Sequence, residues 1–498
     1  MSQEVLNSLT HVHFDNKIEK NGSSLGSRSI FWKEMTMSDS KLIQTKAANR
    51  AVLHRVIFRL HFYAGILVAP FVLILAITGA IYLYVTEIED IAHPDWRFIK
   101  EAGPHLPPHK IIEGALAAFP DTVATRVDLP TAPKRTAVVF LTPEIGEPFR
   151  VYVDPVSGIA NGSFIYGQTL VGFADRMHGS LLMGETGDLI VELASCWTIV
   201  LILTGLYLWW PRTPNKVWGV FLPRLGKGRP FWRDLHALTG IWTSGLLLFL
   251  ILSGLPWASN WGGYLQGIMT SMGVGYPASY RTHMNHDAIE TDPVQTLAET
   301  TPGISWAMEP APAPHSEHTH KMPISVKEVS AILEGVGLTT AYRLSLPKDA
   351  HDVFTAYTYP DQPEGQRTIH LDQYSGEVIN NVGFADYGIG AKTVELGVAI
   401  HMGNYFGIPN QLLMLFAALG AAMLSLSGPI MWMKRRKTGL GAPKPLGSNQ
   451  MIWSVAFLLL ALGVIFPTLG ITALILFVVE RLLLSRIAPV RSWLGLAQ

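Results

Sequence analysis

Four histidines recur at matched distances along the chain. His61 stands 18 residues before Gly79, and His236 stands 18 before Gly254. Each is followed four residues later by a glycine, Gly65 and Gly240. His178 stands 27 residues before Gly205 and His401 stands 27 before Gly428. Trp209 and Trp432 fall 31 residues after these two histidines, and Arg212 and Arg435 fall 34 after. One histidine at a helix end commonly meets headgroups or caps carbonyls. Four at repeated positions, sorting into one pair per membrane face, point to a shared ligand. A b-type haem takes two axial imidazoles from facing helices while apolar helices sheathe the porphyrin. The expected pairs are His61 with His236 and His178 with His401. Two haems b held in this way make an electron path across a bilayer. Gly65 and Gly240 would let a flat macrocycle approach the backbone. Arg59 and Arg233, with Arg212 and Arg435, are placed to pair with haem propionates. Asp234 and Glu192 are close to membrane depth and could orient a ligand histidine.

These residues need helices that cross a membrane. The chain has 498 residues, 49% hydrophobic and 15% charged, with zero net charge. A soluble chain carries about 25% charged residues, so this deficit and the long apolar runs indicate a membrane protein. Zero net charge gives no field to attract nucleic acid. The single cysteine, Cys196, excludes a disulfide framework and a CxxC metal site, and it reads as helix packing. Apolar stretches run over about 57–85, 189–210, 236–257, 411–433 and 451–479. Arg55 and Arg59 precede the first; Arg212 and Lys216 follow the second; Arg224, Lys227, Arg229 and Arg233 precede the third; Lys434, Arg435, Arg436 and Lys437 follow the fourth. The positive-inside rule makes these ends cytoplasmic and puts loops 86–188 and 258–410 outside. In a Gram-negative cell the protein would be a multi-pass inner-membrane protein with a cytoplasmic N-terminus and periplasmic loops. Trp209, Trp210, Trp232, Trp257, Trp261 and Trp432 sit at span ends as an aromatic belt. The last stretch, broken at Pro467, is either one span or a hairpin that returns Arg481, Arg486 and Arg491 inside.

The expected fold is a membrane α-helical bundle formed by internal duplication, with four core spans plus a C-terminal span or hairpin. Its divisions are a cytoplasmic tail 1–50, a first span 51–88, an outer module 89–177, a second span 178–212 with an interfacial histidine segment, and a cytoplasmic loop 213–235. A third span 236–258, a second outer module 259–400, a fourth span 401–437 and the C-terminal stretch 451–485 follow. The tail lacks a basic segment followed by an apolar one, so it reads as largely unstructured rather than as a cleaved signal peptide. Gly184 and Gly187 should break the helix after His178, and Gly403, Gly407 and Pro409 the helix after His401. Each outer module reads as αβββ. The first has a helix at 107–119, strands near 123–129, 136–142 and 149–153, and the turn Asp154 to Gly158. The second has a helix at 325–334, strands near 341–346, 352–359 and 367–371, and the turn Asp372 to Gly376.

The chain resembles the PepSY-associated transmembrane proteins, which include iron-regulated inner-membrane proteins and siderophore–iron reductases of the FoxB type. The resemblance covers about 50–485. It rests on Arg59, His61 and Gly65 with Thr78-Gly79, on VYVDPVSG at 151–158, on His178, on TGLYLWWPR at 204–212, on FWRDLHALTGIW at 231–242, on His401, and on SGPIMWMKRR at 427–436. It implies two PepSY-like periplasmic modules and, in the reductase branch, haem b on the transmembrane histidines. The activity it implies is reduction of a periplasmic ferric siderophore. Hard Fe(III) fits hard oxygen donors, and reduction to softer Fe(II) frees the metal. No Gly-rich nucleotide fingerprint follows a strand, so the electron donor would be a quinol or a separate reductase. The competing classes are a non-catalytic anchor whose modules regulate a protease and a periplasmic metal-handling or transport protein. The latter would use His315, His318 and His320 in the Pro-rich linker, or His283 and His286 near Met269, Met272 and Met284.

Overall fold

A computed structural model describes residues 25–211, 221–224, 228–282, 295–316, 322–436 and 449–480, with 482, 486, 487, 489 and 490; for 25–49, 281–282 and 449–455 this extends to the backbone alone. The first half comprises α1 (Leu25–Tyr82), α2 (Pro108–Ala118), β1 (Thr122–Asp128), β2 (Ala137–Pro143), β3 (Phe149–Val153), β4 (Ala160–Phe164), α3 (Leu170–Ser180) and α4 (Gly184–Trp209). Then come α5 (Arg229–Gly254), α6 (Ser259–Ser271), α7 (Val326–Gly335), β5 (Arg343–Ser345), β6 (Val353–Thr358), β7 (Arg367–Asp372), β8 (Val378–Gly383), α8 (Ile389–His401) and α9 (Ile408–Arg435). The described chain closes with α10 (Asn449–Ile465) and α11 (Pro467–Val479).

Among the described residues four segments are long and apolar enough to cross a membrane: Arg50–Tyr82, Gly184–Trp209, Arg229–Trp257 and Ile408–Arg435. They are the four expected core spans. α1 packs along α4 and α9, and α5 packs along α9 and α4, so the four form a bundle. Leu67, Trp242, Leu419 and Phe457 are each more than half exposed, an outward apolar surface suited to lipid. The expected unstructured tail gives way to helix from Leu25 onward. No glycine or proline lies between Gly26 and Gly65 to stop it, so the span's helix propagates backward.

The helix breaks fall close to where they were expected. After His178, Leu181, Leu182 and Gly184 have positive φ. Gly187 lies inside α4 instead; a Cβ there would sit 1.7 Å from the Ser180 carbonyl, so its role is close approach of the α3 end. After His401, Gly403 and Gly407 take positive φ and Pro409 enters the first turn of α9. The C-terminal stretch is a hairpin. A Cβ on Gly463 would lie 2.7 Å from the Gly470 Cα, whereas seven residues of straight helix rise about 10 Å. α11 lies on α4, where Trp197 Nε1 donates to Thr472 Oγ1 at 3.3 Å and buried Cys196 packs 3.9 Å from Thr468 Oγ1.

The strands form one antiparallel sheet in the order β4-β3-β2-β1-β5-β6-β7-β8. The two outer regions therefore share a sheet, joined at β1–β5 through Arg126↔Ser345 and Val127↔Leu344, and both long loops lie at the same end of the bundle. Each region carries a fourth strand beyond the three expected. The residues of β4, ANGSF, are poor strand formers, and Asn380, Asn381 and Gly383 interrupt the Val and Ile of β8; hairpin pairing with β3 and β7 holds both extended. The preceding turns match: Asp154 Oδ1 accepts from Val156 N at 2.8 Å and Asp372 Oδ1 from Tyr374 N at 2.9 Å, while Gly158 and Gly376 supply φ of 75° and 72°. One face of the sheet buries Val127, Val139, Leu141, Val151, Leu344, Ala356, Ile369 and Leu371 against Ile111 and Ala115 of α2 and Val329 and Leu333 of α7. Each larger side chain buried there contributes about 1.5–3 kcal/mol. The layer meets the helices that carry His178 and His401: Tyr166, after β4, donates to Asp175 of α3, and Gln366, before β7, donates to Glu395 of α8.

Candidate functional site: four histidines seated on hydroxyl–glycine steps

Each of the four histidines rests on a Ser/Thr-Gly step of the partner helix in its own half. His61 Nδ1 lies 2.9 Å from Thr204 Oγ1, and His178 Nδ1 lies 3.1 Å from Thr78 Oγ1. In the second half His236 Nδ1 lies 2.9 Å from Ser427 Oγ, and His401 Nδ1 lies 2.9 Å from Ser253 Oγ. The arrangement is reciprocal: α1 gives a histidine to α4 and receives one from α3, and α5 gives one to α9 and receives one from α8.

The hydroxyls settle the tautomer. Thr78 Oγ1 donates to Ile74 O at 2.8 Å, Thr204 Oγ1 to Val200 O at 2.6 Å, Ser253 Oγ to Phe249 O at 2.7 Å, and Ser427 Oγ to Leu424 O at 3.3 Å. A hydroxyl whose one proton is committed to a carbonyl can only accept from the ring. Nδ1 therefore carries the hydrogen and Nε2 keeps its lone pair. A histidine that ligates a metal through Nε2 is held in this way, with the other N–H donated to a fixed acceptor. No hydrogen-bond partner meets the four Nε2 atoms among the described residues, and none of the four is a buried orphan.

The glycine of each step lets the ring in. A Cβ would fall 3.0 Å from the His178 ring at Gly79, 3.2 Å from His61 at Gly205, 3.1 Å from His401 at Gly254, and 3.8 Å from His236 at Gly428. The first three contacts are too tight for alanine without moving the ring. Gly65 and Gly240 are also equivalent: a Cβ at either would touch only a leucine methyl at 3.8 Å, Leu201 and Leu424 respectively.

Across the halves, the rings of His61 and His236 face each other at the end far from the sheet, with centroids 6.3 Å apart and planes at 87°. His178 and His401 are electrostatic neighbours at the sheet end. The pairs expected from topology are thus the pairs brought together. An axial imidazole pair, with metal–nitrogen bonds of ~2.0 Å and roughly 1 Å from nitrogen to ring centre, sets ring centres about 6 Å apart. Two facing imidazoles are a donor set of the kind a haem iron takes; among the described residues no group of three or more His, Cys, Asp or Glu is close enough to hold a metal ion.

The other expected site residues fall elsewhere. Asp234 does not orient His236; its buried carboxylate accepts from Arg224 Nε at 2.7 Å and Arg233 Nη2 at 2.8 Å. Glu192 does not orient a histidine either; its Oε2 accepts from Asn260 N and Trp261 N in the first turn of α6. At this depth a neutral hydroxyl meets each ring with no buried charge to compensate. Arg59 Nη2 donates to Tyr63 OH at 3.2 Å, and Arg435 lies over the Phe62 ring at 4.9 Å. Arg212, His283, His286, Met284, His318 and His320 lie outside the described residues, and His315 is exposed. The orienting groups Thr78, Thr204, Ser253 and Ser427 were not singled out for that role, although each directly precedes one of the repeated glycines.

Outside the spans, the second outer region buries further polar groups. His370 is fully enclosed, with Nδ1 2.9 Å from Thr355 Oγ1 and Nε2 2.8 Å from Tyr280 OH; burial lowers its pKa to about 3. Burial and the neighbouring Glu395 push Glu309 up to about 7. Glu395 itself accepts from Ala307 N at 2.9 Å and Gln366 Nε2 at 2.7 Å.

No curated protein matches the chain. The family described as the PepSY-associated TM region matches residues 58–435, from just before His61 to the end of α9 and thus across all four histidines. The chain belongs to the PepSY-associated transmembrane family.

Proposed function

We propose that the protein is a di-haem inner-membrane electron-transfer protein that reduces a periplasmic ferric siderophore. His61 with His236 and His178 with His401 would each hold one haem, one pair at each end of the bundle. The chain is then a duplicated span–module–span unit with two PepSY-like modules in the periplasm and the N-terminus in the cytoplasm. The observation that carries this reading is the fourfold seat: every ring sets Nδ1 within 2.9–3.1 Å of a Ser or Thr hydroxyl, which leaves Nε2 for a ligand. When bound, haem b supplies a one-electron carrier near each face. The helices exclude water around the rings, the Ser/Thr hydroxyls fix their orientation, and Gly79, Gly205 and Gly254 set how closely they approach the backbone. Arg59 and Arg233 lie at the far end, where propionates would meet water and cationic side chains. The donor is a quinol or a separate reductase. The test is to reduce the purified protein in proteoliposomes and add a ferric siderophore outside. Reoxidation with release of Fe(II) supports the reading; a haem that stays reduced for every ferric chelate offered refutes the acceptor.

A further inference from the structure

The sheet has a second face, turned toward the spans, and its polar content differs from that of the core face. Under the second outer region this face is covered by a cluster that includes Tyr280, Leu297, Met308 and Ala311. Under β1–β3 it is lined instead by arginine and aromatic rings. Arg150 of β3 lies 3.9 Å from the Tyr166 ring centre and 5.1 Å from that of Phe140, both half-buried.

Charge bookkeeping singles Arg150 out. Arg126 has both its Nε and Nη2 on Asp128, at 2.7 and 3.0 Å, and Nη1 on Pro302 O at 2.9 Å. Arg343 lies 3.7 Å from the same Asp128, so this one acid answers two cations. Asp90 and Glu89 are taken by Arg97, and Asp90 also by Arg135. Asp175 accepts from Tyr166 OH at 3.1 Å. At the far edge Glu395 is held by Gln366 and the Ala307 amide, with Glu309 beside it. Arg150 makes no ion pair and no side-chain hydrogen bond among the described residues. A guanidinium is always charged, and a half-buried one stacked on rings still has its in-plane donors to fill.

The place matters as much as the charge. Tyr166 meets Tyr82, at the end of α1, and Tyr82 is one helical turn beyond Thr78, the seat of His178. Asp175, which anchors Tyr166, precedes His178 by three residues on α3. A ligand on Arg150 would therefore stand next to the sheet-end histidine pair.

We propose that Arg150, on the span-facing side of β3 between Tyr166 and Phe140, binds the electron acceptor through its anionic oxygens. The preferred acceptor is then a ferric chelate of net negative charge, with catecholate or carboxylate donors, since planar oxygen pairs match the guanidinium fork. This inference rests on the reductase reading for the identity of the ligand.

The test uses the purified full chain in nanodiscs with redox-silent probes: an anionic gallium(III) tricatecholate and a neutral gallium(III) trihydroxamate. Binding is followed by calorimetry, at low and high salt, and the visible spectrum is recorded on the same samples. The expected result is binding of the tricatecholate about tenfold or more tighter than the trihydroxamate, weakening with salt. Arg150→Gln should erase the preference, and Arg150→Lys, which keeps charge but not the fork, should retain part of it. Equal binding of the two probes to the wild-type chain overturns the inference without recourse to any variant, and so does an unchanged preference in folded Arg150→Gln. A clear preference in a chain without haem leaves the Arg150 site standing and sinks the reductase reading; haem with no preference does the reverse.

Discussion

In the first half His61 and His178 sit on threonines; in the second half His236 and His401 sit on serines. The halves agree on the hydroxyl and differ in the methyl. What both keep is an oxygen whose own proton is spent on a carbonyl, which is what the Nδ1–H needs. They also differ in tightness. Gly79, Gly205 and Gly254 leave 3.0–3.2 Å between a Cβ and the ring, and Gly428 leaves 3.8 Å. The outer regions diverge further: the second buries His370 against Tyr280 within an apolar cluster, while the first stacks a half-buried Arg150 on aromatic rings with no ion pair among the described residues. The inner machinery is nearly equivalent in the two halves, and the specialisation is in the outer layer.

The comparison breaks most visibly at the ligands. His61→Ala and His236→Ala should each lower the haem content from near two per chain to near one, and the double variant should go no lower. A double variant that loses both haems, measured as pyridine haemochrome, would mean that the pairing is wrong. The next largest effect separates the glycines. Gly79→Ala and Gly254→Ala should displace His178 and His401 and deplete the sheet-end haem, while Gly428→Ala should be tolerated; equal losses at all positions would contradict the clearances at these glycines. Thr204→Val should weaken retention of the far-end haem about 10–100-fold, as expected when a ligand's orienting partner is lost, whereas Thr204→Ser should resemble the second half and change little. Haem dissociation rates decide between these.

The outer layer supplies a pH contrast. The folded pKa of His370 is about 3 against 6.5 in the unfolded chain, so the unfolded state binds more protons below pH 6.5. Neutral His370 therefore contributes stability above that pH, and the contribution is lost as pH falls from 6.5 toward 3. By pH 4.5 the loss reaches about 2–3 kcal/mol. The stability gap between the wild type and His370→Gln, followed by thermal melts, should narrow by that amount between pH 7 and pH 4.5; a constant gap would show that the imidazole does not stay neutral.

Much of this was legible before the structure. Apolar length placed the four spans, and the repeated His-to-Gly spacing brought out both pairs, because helix rise converts spacing into depth. The hydroxyls escaped notice because serine and threonine are ordinary in membrane helices, and only the partner helix shows what they face. Asp234 and Glu192 were misread because charge at membrane depth suggests a ligand's partner; here Asp234 neutralises arginines and Glu192 caps a helix. β4 was missed because ANGSF has weak strand character, and β8 because Asn380, Asn381 and Gly383 break up its Val and Ile; both are held by pairing with β3 and β7. The β1–β5 seam could not be read locally, since it joins residues more than 200 apart in the chain.

In the proposed function two histidine pairs would each hold a haem. Its most direct test is the visible spectrum of the wild-type chain, purified after haem-replete expression, with pyridine haemochrome quantification. A b-type spectrum with close to two haems per chain is the expected result. A folded chain with no Soret band would contradict it.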